Sequence, residues 1–222
     1  MSIHLERAIQ LLKKKITTVG THAEEAVRDV TRALEEKDAA LAQQICDNDD
    51  LIDELEVEIE EECLKILALY QPVATDLRFI IAVLKINNDL ERIGDLAVNI
   101  AERALYLATQ KPAKVHFDFH SMAQTTQLML SKALDALVNV DVHTARQVCA
   151  MDDEVDTMNR EMYLLVQEGG QAHPEQLEML IHMLSISRHL ERIADLATNI
   201  AEDVIYMARG EIVRHRLEDY LG

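Results

Sequence analysis

The sequence predicts an all-α fold in which two tandem antiparallel three-helix bundles are related by an internal duplication. Residues 90–102 return at 190–202 with only two changes, and residues 33–58 resemble 136–161 at a shift of 103. A repeat of this length is a duplicated domain rather than a short solenoid unit. Gly and Pro number only 6 and 3, so few residues interrupt the long stretches that strong helix formers fill.

Six helices are predicted, because apolar residues recur at three- and four-residue spacing in six segments. These segments cover 3–35, 38–69, 75–110, 117–139, 141–168 and 175–209. The connections are short, which favours antiparallel packing of the three helices in each half. The seam between the halves lies near Pro112, so we expect one domain over residues 1–110 and a second over 113–222.

Residues at the ends of the predicted helices support these bounds. Asp38 and Asp141, a repeat pair, stand where an N-cap carboxylate would accept from the free amides of the first turn. Gly169 and Gly170 are expected to end the fifth helix, and Gly210 the sixth, as C-cap glycines.

The charge of the chain restricts its partners. The formal net charge is −18, and such a surface repels nucleic acid and anionic lipid at long range. We therefore expect no direct nucleic-acid binding, and contact with a membrane only through protein partners. The N-terminus has no basic segment followed by an apolar run, which predicts a cytoplasmic protein. Three cysteines without CxxC spacing fit reduced thiols in that compartment.

The acidic residues are repeated together with the apolar ones. On a helical wheel, the second and third predicted helices of each half carry acidic residues opposite their apolar stripes. Antiparallel neighbours would bring two such faces to one groove, and packing alone does not require the repeated carboxylates. We predict one cluster in each half. Its residues are Asp49, Asp53, Glu91 and Asp95 in the first half, and Asp152, Asp156, Glu191 and Asp195 in the second.

A carboxylate cluster of this kind predicts a bound cation. Two carboxylates at i and i+4 repel each other by a few tenths of a kcal/mol, and four repel more unless a positive charge lies between them. Oxygen ligands suit hard ions such as Mg²⁺, Mn²⁺, Ca²⁺ or iron. The identity of the metal stays open, and zinc bound by carboxylates is among the candidates.

Two alternatives remain open at this point. In the first, the acidic residues are a solvated surface, with Arg92, Arg192 and Arg160 as intrahelical partners of the nearby aspartates. In the second, the chain is a di-iron carboxylate enzyme of the helical-bundle type. That site requires inward-facing Glu-x-x-His pairs, and no histidine of the chain has a Glu three residues before it. The sequence therefore favours a protein that is not an enzyme.

The repeated motif Leu-Glu-Arg-Ile-Gly/Ala-Asp-x-Ala-x-Asn-Ile-Ala-Glu, with Asp-x-x-Ile/Val-Asp upstream of each copy, resembles the PhoU family of phosphate-signalling proteins. The resemblance covers essentially the whole chain. It implies two three-helix bundles, often as a homodimer, with metal ions on the ExxxD and DxxxD motifs at the eight positions given above.

The resemblance also implies a function. Members of the family are negative regulators of phosphate uptake and of the phosphate-starvation response. They act as adaptors that link the ATPase subunit of a high-affinity phosphate ABC transporter to a sensor histidine kinase.

The two halves are not equivalent, because Asp89 of the first half becomes His189 in the second. The two metal clusters are therefore expected to differ in affinity or in metal preference. Direct contact of phosphate with the chain is not expected, since the net charge is −18 and no glycine-rich anion loop is present.

Overall fold

The computed structural model describes residues 3–47 and 50–210, with the side chain of residue 50 left undescribed, and the described part is helical without strands. A short 3₁₀ turn, Pro174–Gln176, precedes the last helix. The helices are α1 (Ile3–Glu36), α2 (Ala39–Asp47), α3 (Asp50–Tyr70), α4 (Ala74–Ala108), α5 (Phe119–Asn139), α6 (Val142–Ala172) and α7 (Leu177–Arg209).

Each half is a bundle, as the sequence predicts. In the first half α1 packs against α2, α3 and α4, and in the second half α5, α6 and α7 pack against one another. The second predicted helix, 38–69, corresponds to α2 and α3. These lie on either side of residues 48 and 49, which are outside the described part.

The two bundles share one hydrophobic core, because α4 packs along α7 and α1 contacts α5. Helices α4 and α7 run antiparallel. Lys85 Nζ lies 3.2 Å from Asp203 Oδ1 near one end of the contact, and the ring of Tyr106 stacks on His182 near the other, with centroids 4.0 Å apart. The third helices of the two bundles are thus the centre of the molecule.

The buried stripes explain why these helices form and pack. Along α4, Ile86, Leu90, Ile93 and Ala97 recur at three- and four-residue spacing, and all are fully buried. Burial of one Ile or Leu side chain contributes about 1.5–3 kcal/mol, so this face holds α4 in the core and leaves the opposite face for polar residues.

The helical wheel places Leu51, Leu55 and Ile59 of α3 opposite the acidic residues, but of these only Ile59 is buried, and Leu51 is 47% exposed. Ile52, Cys63 and Ile66 complete the buried stripe of α3. A Cβ at Gly94 on α4 would lie 3.0 Å from Ile52 Cδ1, so Ile52 faces α4.

The predicted helix ends are confirmed at three positions. The Asp38 carboxylate accepts from the amide of Leu41 at 3.0 Å, and that of Asp141 from the amide of His143 at 2.9 Å. Gly210 has φ of 75°, the left-handed conformation of a C-cap glycine.

The prediction that Gly169 and Gly170 end the fifth helix is wrong, because α6 continues to Ala172. A Cβ atom at Gly169 would lie 2.8 Å from Cγ1 of Val115, in the connection between the halves. Close packing of that connection therefore requires the glycine, and no change of backbone direction is involved.

None of the described helices is long and apolar enough to cross a bilayer.

Candidate functional site

The first carboxylate cluster joins α3 to α4. Asp53 on α3 and Glu91 and Asp95 on α4 each place a carboxylate oxygen within 4.8 Å of the others. Asp53 and Asp95 are exposed, whereas Glu91 is half-buried. Asp49, the fourth predicted member, lies outside the described residues. Three of the four predicted side chains are therefore together.

The second carboxylate cluster joins α6 to α7. Oxygens of Asp152 and Asp156 on α6 and of Asp195 on α7 lie within 4.8 Å of one another. Glu191, the fourth predicted member, is not part of this close group. Its charge nevertheless acts on Asp195, and that of Asp156 acts on Glu191. It therefore lies at the edge of the cluster.

The crowding of carboxylates changes their acidity in the first cluster. Burial raises the pKa of Glu91 above its usual value, and the charges of Asp95 and Asp53 raise it further. Burial and the charge of Asp53 also raise the pKa of Asp95. In both residues the raised pKa means that the surroundings disfavour the ionised carboxylate.

The carboxylate pKa values are raised further in the second cluster. Burial raises the pKa of Asp195 to about 6, and the charges of Glu191 and Asp152 contribute to this rise. Burial is also the main cause of the raised pKa of Asp152, followed by the charge of Asp156. A cation bound here would reverse these shifts, because it favours the ionised carboxylates.

Arginine supplies only part of the positive charge that the solvated-surface alternative requires. Among the described residues, Arg92 and Arg192 form no ion pair within 4.0 Å with Asp95, Asp195 or any other carboxylate. Their charges nevertheless act to lower the pKa of Glu91 and of Asp195, without offsetting the rise caused by burial and by neighbouring carboxylates. The third expected partner is present, since Arg160 Nη2 lies 3.9 Å from Asp156 Oδ2. Such an exposed pair is worth at most about 1 kcal/mol.

The geometry of both clusters suits an oxygen-ligated ion. Mg²⁺ binds oxygens at about 2.0–2.1 Å and Ca²⁺ at about 2.3–2.6 Å, so ligand oxygens on opposite sides of one ion are about 4–5 Å apart. In each cluster the three ligand oxygens lie within 4.8 Å of one another, close enough for one such ion to contact all three. No histidine or cysteine belongs to either group of three described residues, which favours hard cations.

The antiparallel contact of α4 and α7 brings the two copies of the repeated motif to one cavity of about 350 Å³. Asp95 and Asp195 both line it, so the two clusters open toward a common space. Its remaining lining residues are Arg92, Leu96 and Asn99 with their repeat counterparts Arg192, Leu196 and Asn199.

The repeated motifs differ at two positions, and both positions face the neighbouring helix of their own cluster. Thr198 donates a hydrogen bond of 3.3 Å to Asp152, which Val98, its counterpart, has no hydroxyl to form. A Cβ at Gly94 would lie 3.0 Å from Ile52 Cδ1, whereas the second half has Ala194. Thr198 is thus a residue of the site that sequence reasoning missed, although its signal was one of the two changes in the motif.

A duplicated helical bundle with a carboxylate cluster on each copy is the class of protein that this fold and site define. The chain belongs to the PhoU domain family. The family's sequence model matches residues 16–104 and 119–204, one match in each half.

Curated relatives match over nearly the whole chain. A protein of Thermotoga maritima named phosphate-specific transport system accessory protein PhoU homolog 1 is 36% identical, over 97% of this chain and 93% of its own. A phosphate-specific transport system accessory protein PhoU homolog of Aquifex aeolicus is 38% identical, over 96% of each.

Solved structures share the fold. The crystal structure of PhoU from Pseudomonas aeruginosa has a TM-score of 0.90 at 35% identity and covers 93% of this chain and 99% of that one. The phosphate transport system regulatory protein PhoU from Streptococcus pneumoniae has a TM-score of 0.84 at 29% identity, covering 94% and 99%. The predicted fold class and family are thereby confirmed.

Proposed function

We propose that this protein regulates phosphate transport as a non-catalytic accessory protein. The observation that carries the proposal is the match, at 36% and 38% identity over almost the full length of both chains, to proteins named as accessory to the phosphate-specific transport system. The names of these relatives describe an accessory role and not a reaction. We further propose that it is a negative regulator, restraining phosphate uptake and the phosphate-starvation response.

The finer proposal is that the protein is a cytoplasmic adaptor between the ATPase subunit of a phosphate ABC transporter and a sensor histidine kinase. The net charge of −18 supports binding to basic surfaces of such partners, because charge of one sign accelerates encounter with the opposite sign. Contact with the membrane would then be indirect, through these partners. A homodimer is the proposed assembly, as the family resemblance implies.

We also propose that the carboxylate clusters hold metal ions. The supporting observations are two groups of three carboxylates, each within 4.8 Å, and the raised pKa of their members. Mg²⁺, Mn²⁺, iron and Zn²⁺ are the candidates. The ligands would be Asp53, Glu91 and Asp95 in the first half, with Asp49 from the sequence, and Asp152, Asp156, Glu191 and Asp195 in the second.

A binding assay with purified components tests the adaptor role. The ATPase subunit and the cytoplasmic part of the kinase are each titrated with the full chain, with and without Mg²⁺ or Mn²⁺. We expect saturable binding at micromolar concentration or below to at least one partner. Absence of binding to both, by a chain whose circular dichroism is that of a folded helical protein, would contradict the adaptor role.

A further inference from the structure

A cavity of about 490 Å³ lies at the seam between the two halves, where the chain passes from α4 to α5. It is lined by the ends of α1 and α4, by the connection over residues 111–118 and by the beginnings of α5 and α7. Small-molecule sites in proteins typically have volumes of about 300–1,000 Å³. The cavity is therefore large enough for a ligand, and it shares no residue with the carboxylate clusters.

The walls of this cavity are apolar and are fixed by packing. Leu107, Phe117 and Phe119 pack both on the main hydrophobic core and on a smaller buried cluster that contains Met179 and Met183. The rings of Phe117 and Phe119 meet edge to face, with their centroids 4.8 Å apart. Both methionines are buried, and methionine adapts its shape to an apolar neighbour. These walls can shield the apolar body of a ligand from water.

Two carboxylates at the cavity already have hydrogen-bond donors within the protein. Glu35 Oε1 lies 2.7 Å from His120 Nδ1. The Asp118 carboxylate caps α5, because it accepts from the amide of Ser121 at 3.0 Å and from the hydroxyl of Ser121 at 2.8 Å. Neither carboxylate is left without a donor, which reduces its attraction for a cationic ligand.

The two ammonium groups at the cavity lack such partners. Lys37 and Lys111 are exposed and line the cavity. Neither side chain forms an ion pair within 4.0 Å or a hydrogen bond with another described residue. Acidic residues outnumber Lys and Arg by 40 to 22, yet these two ammonium groups remain available to an anion.

The internal duplication shows that packing does not require these charges. At the shift of 103, Glu35 and Lys37 correspond to Val138 and Val140, which line a cavity of about 370 Å³ at the end of α5. The backbone is left-handed at both places, since φ is 53° at Lys37 and 52° at Val140. The fold thus accepts valine at the equivalent turn and has no need of Glu35 or Lys37.

We propose that this cavity binds a small amphipathic anion, in which an apolar body carries one carboxylate or phosphate group. The apolar body would lie against Phe117, Phe119 and Met183, and the anionic group would lie near Lys37 and Lys111. Lysine suits this arrangement, because its stem packs along an apolar wall while its ammonium group stays in water at the rim. An apolar cavity with a few charged groups that fix orientation is the usual form of a small-molecule site.

A small molecule fits this cavity better than a helix of a partner protein. A partner helix needs a groove along several turns, in which its residues at i, i+3, i+4 and i+7 find places. This cavity lies instead where helices end, and the connection at Pro112 and Ala113 forms one of its sides. The site is separate from the adaptor role and does not depend on it.

Calorimetric titration of the full chain tests the proposal. The probes are octanoate and octyl phosphate, with octylammonium and 1-octanol as cationic and neutral molecules of the same chain length. We expect one saturable site for the anions and weaker binding of the other two. The anion that binds more tightly identifies the charged group. Hexanoate should bind roughly tenfold more weakly than octanoate, as expected for two fewer buried methylene groups.

Lys37→Gln combined with Lys111→Gln should weaken octanoate binding roughly fivefold or more, as expected for the loss of ionic contacts near the surface. The binding of octanol should stay within about twofold, because a neutral probe makes no ionic contact. The matched control is Arg28→Gln combined with Lys65→Gln, which removes two positive charges from exposed positions on α1 and α3 outside the cavity. It should leave octanoate binding within about twofold, the range expected from screened long-range charge.

Ala108→Leu tests the cavity itself, since the larger side chain would fill part of the space at the end of α4. We expect roughly fivefold weaker octanoate binding, and no change from Ala150→Leu, the same substitution at an exposed position on α6. The proposal is overturned by any of three results: no saturable binding of either anion by the folded chain, octylammonium binding as tightly as octanoate, or equal effects of cavity and control variants. An affinity that falls as the protein concentration rises would also overturn it and assign the cavity to contact with a second copy of the chain.

Discussion

At the scale of single residues, the carboxylate clusters are unfavourable for the metal-free fold. Asp195 shows this most clearly, because its pKa is about 6 in the folded chain against 3.8 for the ordinary group. Between those two values the unfolded chain loses its proton first. The contribution of Asp195 to stability is therefore most favourable at low pH, falls as the pH rises from about 4 to about 6, and stays reduced above that.

Asp195→Asn should consequently stabilise the metal-free protein at pH 8. We expect a gain of about 1 kcal/mol in the free energy of unfolding, discounted because the side chain is half exposed to solvent. Urea denaturation at pH 8 and pH 4.5 measures it, and the gain should shrink at the lower pH. Asp135→Asn, an exposed change on α5, is the control and should show neither effect. A loss of stability at pH 8 would contradict the account.

A metal ion should reverse the order of these two proteins. Mg²⁺ or Mn²⁺ bound to the folded chain adds stability according to its concentration relative to the dissociation constant. At one hundred times that constant each occupied cluster adds about 2.7 kcal/mol, so the wild-type chain gains from two clusters whereas Asp195→Asn, which keeps the first cluster intact, gains mainly from one. Thermal unfolding with increasing metal concentration measures this. Equal gains would contradict a role of Asp195 as a ligand.

At the scale of helices, the two glycines inside α6 are predicted to behave differently. Gly169→Ala would place Cβ 2.8 Å from Val115, whereas Gly170→Ala meets only a flexible end of Leu177 at 3.1 Å. Alanine gains about 0.5–1 kcal/mol over glycine within a helix, and crowding costs about 1–3 kcal/mol. Gly170→Ala should thus be the more stable variant by roughly 1 kcal/mol or more. Urea denaturation of both measures the difference, and equal destabilisation of both would instead indicate C-cap glycines.

Helix bounds and caps could be predicted from sequence because they depend on neighbouring residues, as at Asp38, Asp141 and Gly210. The role of Gly169 could not, because it depends on Val115, which is distant in the chain. The carboxylate clusters could be predicted from the sequence only in part. Helical spacing placed Glu91 and Asp95 on one face, but the contribution of Thr198 required the packing of α7 on α6.

At the scale of the whole molecule, the shared core links the halves more closely than a simple tandem of domains. The boundary near residue 112 stays a prediction. We expect residues 1–110, produced alone, to associate or to remain partly unfolded, since the face of α4 that packs on α7 would be exposed. Mixing residues 1–110 with residues 113–222 should restore a complex of the same size as the intact chain. Light scattering and circular dichroism measure both, and a monomeric, cooperatively folded first half would contradict this expectation.

The common cavity of the two clusters gives the molecule a way to couple metal occupancy to partner binding. Asp95 and Asp195 line one space between α4 and α7, so a cation at either cluster changes the charge of the same surface. If that surface meets a partner, Asp95→Asn combined with Asp195→Asn should weaken both metal retention and partner binding, the latter by roughly tenfold for the loss of one charged contact. Metal content by mass spectrometry and titration with the ATPase subunit measure the two losses. Asp135→Asn should change neither. Loss of metal with unchanged partner binding would show that the clusters stabilise the fold without taking part in signalling.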